Sequence, residues 1–191
     1  MVVRGCVSHY NGTTIHIGVT SIVEIRYEKS EDRAAVRRVR QQAFRRSTEA
    51  DLVERLHDAN EAPIAIVATL NGKVVGHILF SPVLLDPAQP HFNAVGLAPV
   101  GVLPEYQNQG IGSRLISEGL KAYREASYDA VVVLGDPAYH SRFGFSCARD
   151  CGLSNVYNAD EHFMVVALKE GVLDGVSGTV KYQSEFQEAG S

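Results

Sequence analysis

The 191 residues hold only three cysteines, Cys6, Cys147 and Cys151. A small, odd count in a chain of this length excludes a disulfide framework and fits a reducing compartment. Cys147-x-x-x-Cys151 has no second pair and no histidine cluster after it, so no metal site is expected. Positive charge is also scarce. Eighteen Lys and Arg stand against 22 Asp and Glu, a net charge of −4. That argues against a nucleic-acid partner, because gripping a phosphate backbone needs a basic face. No apolar run approaches the roughly 18 residues a membrane helix needs, so no membrane partner is expected. The first 21 residues break every would-be apolar core with Arg4, His9, Asn11, Gly12 and His16. They do not read as a signal peptide, and the expected location is the cytoplasm. What is abundant is apolar residues, at 45%. This is enough for the core of one folded domain.

That domain is read over residues 22–191, with residues 1–21 a leader whose structure the sequence leaves open. Ile22–Glu28 alternates as a strand. Ser30 stands as the cap of a helix over about Asp32–Arg46, with Val36, Val39 and Ala43 on one face. Thr48-x-x-Asp51 signals a second helix that turns Leu52, Val53 and Leu56 inward, and Pro63 ends the region. Ile64–Leu70 and Lys73–Val83 form a hairpin about Asn71-Gly72, two residues that tolerate positive φ. His77, mid-strand, reads as a packed histidine. Prolines mark a loop from Asp86 to His91. Asn93–Leu103 is the next strand and Gly110–Glu125 the clearest helix, with Ile111, Leu115, Ile116, Leu120 and Tyr123 at helical spacing. Ala130–Leu134, His162–Leu168 and Gly178–Phe186 read as later strands. Hairpins first and a strand–helix–strand crossover later predict a mixed α/β sheet, not a doubly wound parallel one.

The most informative run is 102–112, Val-Leu-Pro-Glu-Tyr-Gln-Asn-Gln-Gly-Ile-Gly. A strand end, a proline stop, a polar loop and two glycines lead into a helix. Free amides at a helix start, together with the helix dipole, attract an anion. A phosphate or pyrophosphate on Gln107–Gly112 follows, with Ser113 in the same turn. Two familiar phosphate loops do not fit. The dinucleotide fingerprint needs a third glycine where Leu115 stands, and the P-loop needs Gly-Lys-Ser/Thr where the chain has Gly112-Ser113-Arg114. Gln107-Asn108-Gln109-Gly110-Ile111-Gly112 instead resembles the coenzyme A pyrophosphate loop of the GNAT superfamily, Gln/Arg-x-x-Gly-x-Gly/Ala. The order of the neighbouring pieces is similar too. Pro104-Glu105-Tyr106 precedes the loop, a helix and strand follow it, and Tyr139-His140-Ser141-Arg142-Phe143-Gly144-Phe145 closes the series. Leu134–Ala138, Ser141–Phe145 and, more weakly, Gly175–Tyr182 resemble the YhbS-like branch of predicted acetyltransferases. The resemblance covers about residues 22–186.

The resemblance implies a GNAT-type fold. Its central, mostly antiparallel sheet has flanking helices, and strands four and five splay apart at Val102 and Leu103 to admit the pantetheine arm. It implies acetyl-CoA as co-substrate and direct attack by a primary amine, on a small molecule or a protein, without a covalent enzyme intermediate. A homodimer is left open. Such chemistry needs a deprotonated amine, a donor for the oxyanion and an acid for the leaving thiolate. The implied oxyanion donor is a backbone N–H at Val102 or a neighbour. The implied acid is a tyrosine four residues before Gly144, but that position is His140, with Tyr139 one residue earlier. Either side chain can serve, yet about 100° of helix rotation separates them, so both rarely face one pocket. The base is the least defined group: Glu49 between the two early helices, Asp136 after the fifth strand, or a water chain. Asp136 reads equally as a helix cap. The missing tyrosine at 140 keeps a second function in view, an acyl-CoA-binding sensor or scaffold without turnover.

Overall fold

In the computed structural model, residues 22–43 and 64–182 are described. The leader 1–21, Glu49 and the helix expected from Thr48 lie outside them. Asn71 and Gly72 take positive φ (51° and 77°) and turn β2 (Ile64–Leu70) back into β3 (Lys73–Asp86). β1 (Val23–Tyr27) pairs antiparallel with the other side of β2. β4 (Ala94–Val102) pairs antiparallel with β3 and parallel with β5 (Ala130–Leu134). β8 (Phe163–Ala167) and the short β6 (Ser146–Cys147) complete the order β1-β2-β3-β4-β5-β8-β6. β3 extends three residues past the expected Val83 because β9 (Gly178–Tyr182) pairs with it from Val83 to Asp86. β7 (Leu153–Asn155) lies parallel to β9, a contact that no local signal announces.

Helices cover both faces. α1 (Arg33–Ala43) buries Val36 and Val39 against β3 and β4. α2 (Ile111–Glu125) buries Ile111, Leu115, Ile116, Leu120 and Tyr123 on the opposite face. Gly76 of β3 lets α2 settle: a Cβ there would meet Leu115 at 3.1 Å and Ile111 at 3.2 Å. The expected cap of α1 is corrected. Ser30 lies inside a 3-10 turn, Ser30–Asp32, and Asp32 accepts the Lys29 N–H at 2.9 Å. Arg26 donates to both oxygens of the same carboxylate, at 2.6 and 2.9 Å.

The Arg26 hydrogen bonds hold the Asp32 carboxyl below its ordinary range, against the opposing effect of burial, with the Lys29 N–H assisting. A depressed carboxylate stabilises the fold above its unfolded value, and that stability is lost as pH falls through the folded value. Asp32→Asn should therefore cost about 1–2 kcal/mol near neutral pH. The gap to the parent chain should close below about pH 4, as read by urea unfolding across pH.

The β4–β5 ladder is short. It joins only Ala94–Gly96 to Ala130–Val132. β4 then continues to Val102 paired with β3 alone, while Val133 and Leu134 of β5 pair with β8. At the departure point the register against β3 jumps from Ile78↔Val100 to Phe80↔Leu97, a bulge at Ala98-Pro99. Proline, with no N–H to give a ladder, suits such a bulge. The two strands thus part, and the gap faces the start of α2.

Candidate active site

Backbone geometry builds one wall of this gap. The Leu103 N–H donates to Val75 O of β3 at 2.9 Å. Successive residues of a strand point their backbone groups to opposite sides, so the Val102 N–H and C=O face the gap. The Val102 carbonyl is taken by Gln107 Nε2 at 3.0 Å, which ties the loop to the strand. Its N–H points into the gap.

Between strand and helix, Pro104–Tyr106 makes one 3-10 turn, and Tyr106 N donates to Leu103 O at 2.8 Å. Asn108 (φ 58°) and Gly110 (φ 79°) are left-handed, which lets the loop reverse into α2. The first intrahelical bond runs from Arg114 N to Gly110 O, 3.0 Å. The amides of Ile111, Gly112 and Ser113 precede it and aim outward at the positive end of the helix dipole. No side-chain charge is needed to hold an anion there.

The opposite wall comes from the turn after β5. Asp136 caps α3 (Pro137–His140) by accepting the Ala138 N–H at 2.9 Å, as the cap reading expects, and its side chain borders the gap. Tyr139 reaches furthest across. Its hydroxyl lies 3.1 Å from where a Cβ on Gly112 would stand, and Val102 Cγ2 is 3.8 Å from that same point. The hydroxyl, the helix start and the splayed strand therefore meet in one place. Arg142 stacks its guanidinium 4.4 Å from the Tyr139 ring centre, and its Nε donates to Tyr139 O at 3.2 Å. Phe143 packs at 5.5 Å between ring centres.

His140 points elsewhere. It is buried in the core side of the turn, edge-on to Phe145 at 5.5 Å, in space left by Gly135. A Cβ on Gly135 would lie 2.5 Å from His140 Nε2. Burial pushes the imidazole below its ordinary pKa, Asp136 partly opposes this and Arg142 adds to it. Burial thus favours the neutral ring over the imidazolium.

The result is a cleft of about 620 Å³. Val100 and Val102 line it from β4, and Gln107, Asn108, Gly110, Ile111, Gly112 and Ser113 from the loop and helix start. Tyr139 is on its wall and His140 is not. Leu103 and Gln109 also lie off the wall. Leu103 is buried with its N–H committed to β3, and the Gln109 amide donates to Glu105 O at 3.2 Å. Tyr106 and Arg142 also line the cleft, and the sequence alone singles out neither them nor Val100 as site residues. The Pro-x-Tyr step and the three-residue spacing from Tyr139 to Arg142 were the available signals. Cys147 and Cys151 are free thiols, and among the described residues no three His, Cys, Asp or Glu side chains gather as metal ligands. No helix among the described residues is long and apolar enough to cross a membrane.

A mixed sheet whose parallel strands part beside a helix start with outward amides is the arrangement that the resemblance to the acyltransferases of the GNAT superfamily implies. Residues 24–148 match the acetyltransferase (GNAT) domain family. The chain is 37% identical over 164 residues to YhbS of Escherichia coli K12, named an uncharacterized N-acetyltransferase, covering 85% of this chain and 97% of that one. The fold matches the crystal structure of E. coli YhbS in complex with CoA, with a TM-score of 0.84 and 35% identity over 91% of this chain and 96% of that one. A GNAT acetyltransferase of Brucella melitensis, solved with acetyl-CoA, matches with a TM-score of 0.73 and 36% identity, covering 87% of this chain and 99% of that one. The chain belongs to the GNAT family of N-acetyltransferases.

Proposed function

We propose that the protein moves an acetyl group from acetyl-CoA to a primary amine by direct attack in a ternary complex. One observation carries the reading: outward helix-start amides, the Val102 N–H and the Tyr139 hydroxyl border a single cleft. The Gly110–Ser113 amides hold the diphosphate. The parted ends of β4 and β5 take the pantetheine arm. As the amine nitrogen bonds to the thioester carbon, the Val102 N–H donates to the growing oxyanion. When the C–S bond breaks, Tyr139 gives its hydroxyl proton to the departing thiolate, and the proton that the new amide nitrogen sheds returns through water to the tyrosine oxygen. A lysine-like ammonium, with a pKa near 10.4, must first lose a proton. Glu49 or a water chain accepts it. The relatives bound to CoA and acetyl-CoA support the cofactor part of this reading. The reading places the protein in the cytoplasm, where the thiols of Cys147 and Cys151 stay reduced.

The tyrosine missing at 140 was the ground for a non-catalytic sensor, and a tyrosine hydroxyl in the cleft favours turnover instead. The test is thiol release from acetyl-CoA with a panel of polyamines, amino sugars and amine-bearing peptides. At least one amine should raise release about tenfold or more above the amine-free rate. Acetyl-CoA binding with no amine-dependent release across the panel would make the protein an acyl-CoA sensor and defeat the catalytic reading.

A further inference from the structure

Arg40 is fully enclosed on the inner face of α1, among the largest buried side chains. Every polar hydrogen on a guanidinium donates, and the group stays charged. Its Nε aims at Nδ1 of His77 at 3.0 Å, and one Nη aims at the same nitrogen. Nδ1 is therefore the bare, accepting nitrogen. The ring carries its hydrogen on Nε2, which donates to Glu28 Oε2 at 2.7 Å. The same Nη also donates to the carbonyl of Pro99 at 2.6 Å. A cation on α1, a ring on β3 and a carboxylate just after β1 are thus joined to the backbone of β4. Burying such a cluster costs solvation, and buried ion clusters are weak contributors to net stability. What this one holds is therefore informative.

Pro99 is in the bulge of β4. It lies between Gly96, the last residue paired with β5, and Val100 and Val102, which line the cleft. The register against β3 skips Ala98 and Pro99, and Arg40 brings a donor from outside the ladder. The bond is made where β4 leaves its neighbour to open the sheet.

We propose that Arg40 is a positioning residue for acyl transfer. Braced by His77 and Glu28, it grips the Pro99 carbonyl and so sets the path of β4 along the cleft and the place where the Val102 N–H meets the thioester oxygen. The inference rests on the acyltransferase reading above. Arg40 is not on the cleft wall, so its effect falls on the geometry of attack more than on cofactor affinity.

The test is the infrared carbonyl stretch of acetyl-CoA labelled with carbon-13 at the thioester carbonyl, bound to the intact chain. The parent protein should lower the stretch relative to free cofactor. Arg40→Met should bind acetyl-CoA within about threefold of the parent. It should also lose about half or more of the spectral shift, with kcat falling about tenfold or more. Arg40→Lys keeps the charge but not the planar fork, and should fall between the two. If Arg40→Met does not fold, Arg40→Lys decides. A folded variant with the full shift and unchanged kcat overturns the proposal. A parent protein that binds no acetyl-CoA defeats the underlying reading instead, before any variant is compared.

Discussion

Tyr139→Phe should lower kcat by about two to three orders of magnitude, the usual worth of a positioned acid, while acetyl-CoA affinity stays within about threefold. The substitution removes one oxygen and little else. Phenylalanine keeps the ring beneath Arg142 and beside Phe143, so the wall of the cleft stands. The lost hydroxyl is the polar atom that reaches across to the helix start, next to Val102. His140→Ala is the control. Its ring is buried against Phe145, and that burial disfavours the imidazolium that would donate. Losing it should appear as about 1–3 kcal/mol of stability, through the cavity left behind. Steady-state kinetics with denaturant melts separate the two. If His140→Ala folds and loses as much kcat as Tyr139→Phe, the proton donor is the histidine.

The second large effect is on binding. Gly112→Asp should weaken acetyl-CoA binding about a hundredfold or more, near 2.7 kcal/mol. The fold should remain intact. Gly112 is in the first turn of α2, where a carboxylate favours the helix by about 0.3–1 kcal/mol through the dipole. The same carboxylate stands where the diphosphate must lie. Its Cβ also comes within 3.1 Å of the Tyr139 hydroxyl, which has to yield slightly. Melting temperature near the parent value together with lost calorimetric heat is the expected pair of results. Retained affinity would remove the diphosphate from this turn.

Much of this site was legible in the sequence because it is built locally. Loop, glycines and helix are contiguous, and the backbone amides that do the work need only the right φ at Asn108 and Gly110. Strand β5 is bounded at the expected residues for a similar reason: an apolar run this short, between turn signals and with three valines in succession, favours a buried strand over a helix. The choice between Tyr139 and His140 was not legible. One residue of helix rotation separates cleft from core, and the deciding contacts, Gly135 and Gly112, come from other elements. Arg40 was hidden for the same reason. Arg40 follows Val36 by four residues and so shares its helix face, but what it meets there is known only once β3 and β4 bring His77 and the Pro99 carbonyl to it. The pairing of β9 with β3 and β7 is likewise non-local, and no single stretch encodes it.

The most direct measurement is a proton–nitrogen NMR titration of the intact chain with coenzyme A. If the helix start grips the diphosphate, the largest shifts fall on the amides of Gly110, Ile111, Gly112 and Ser113, with Val102 moving as the arm enters. Saturating coenzyme A that leaves those amides unmoved, or shifts confined to the far loop around Gln89–Phe92, would contradict it.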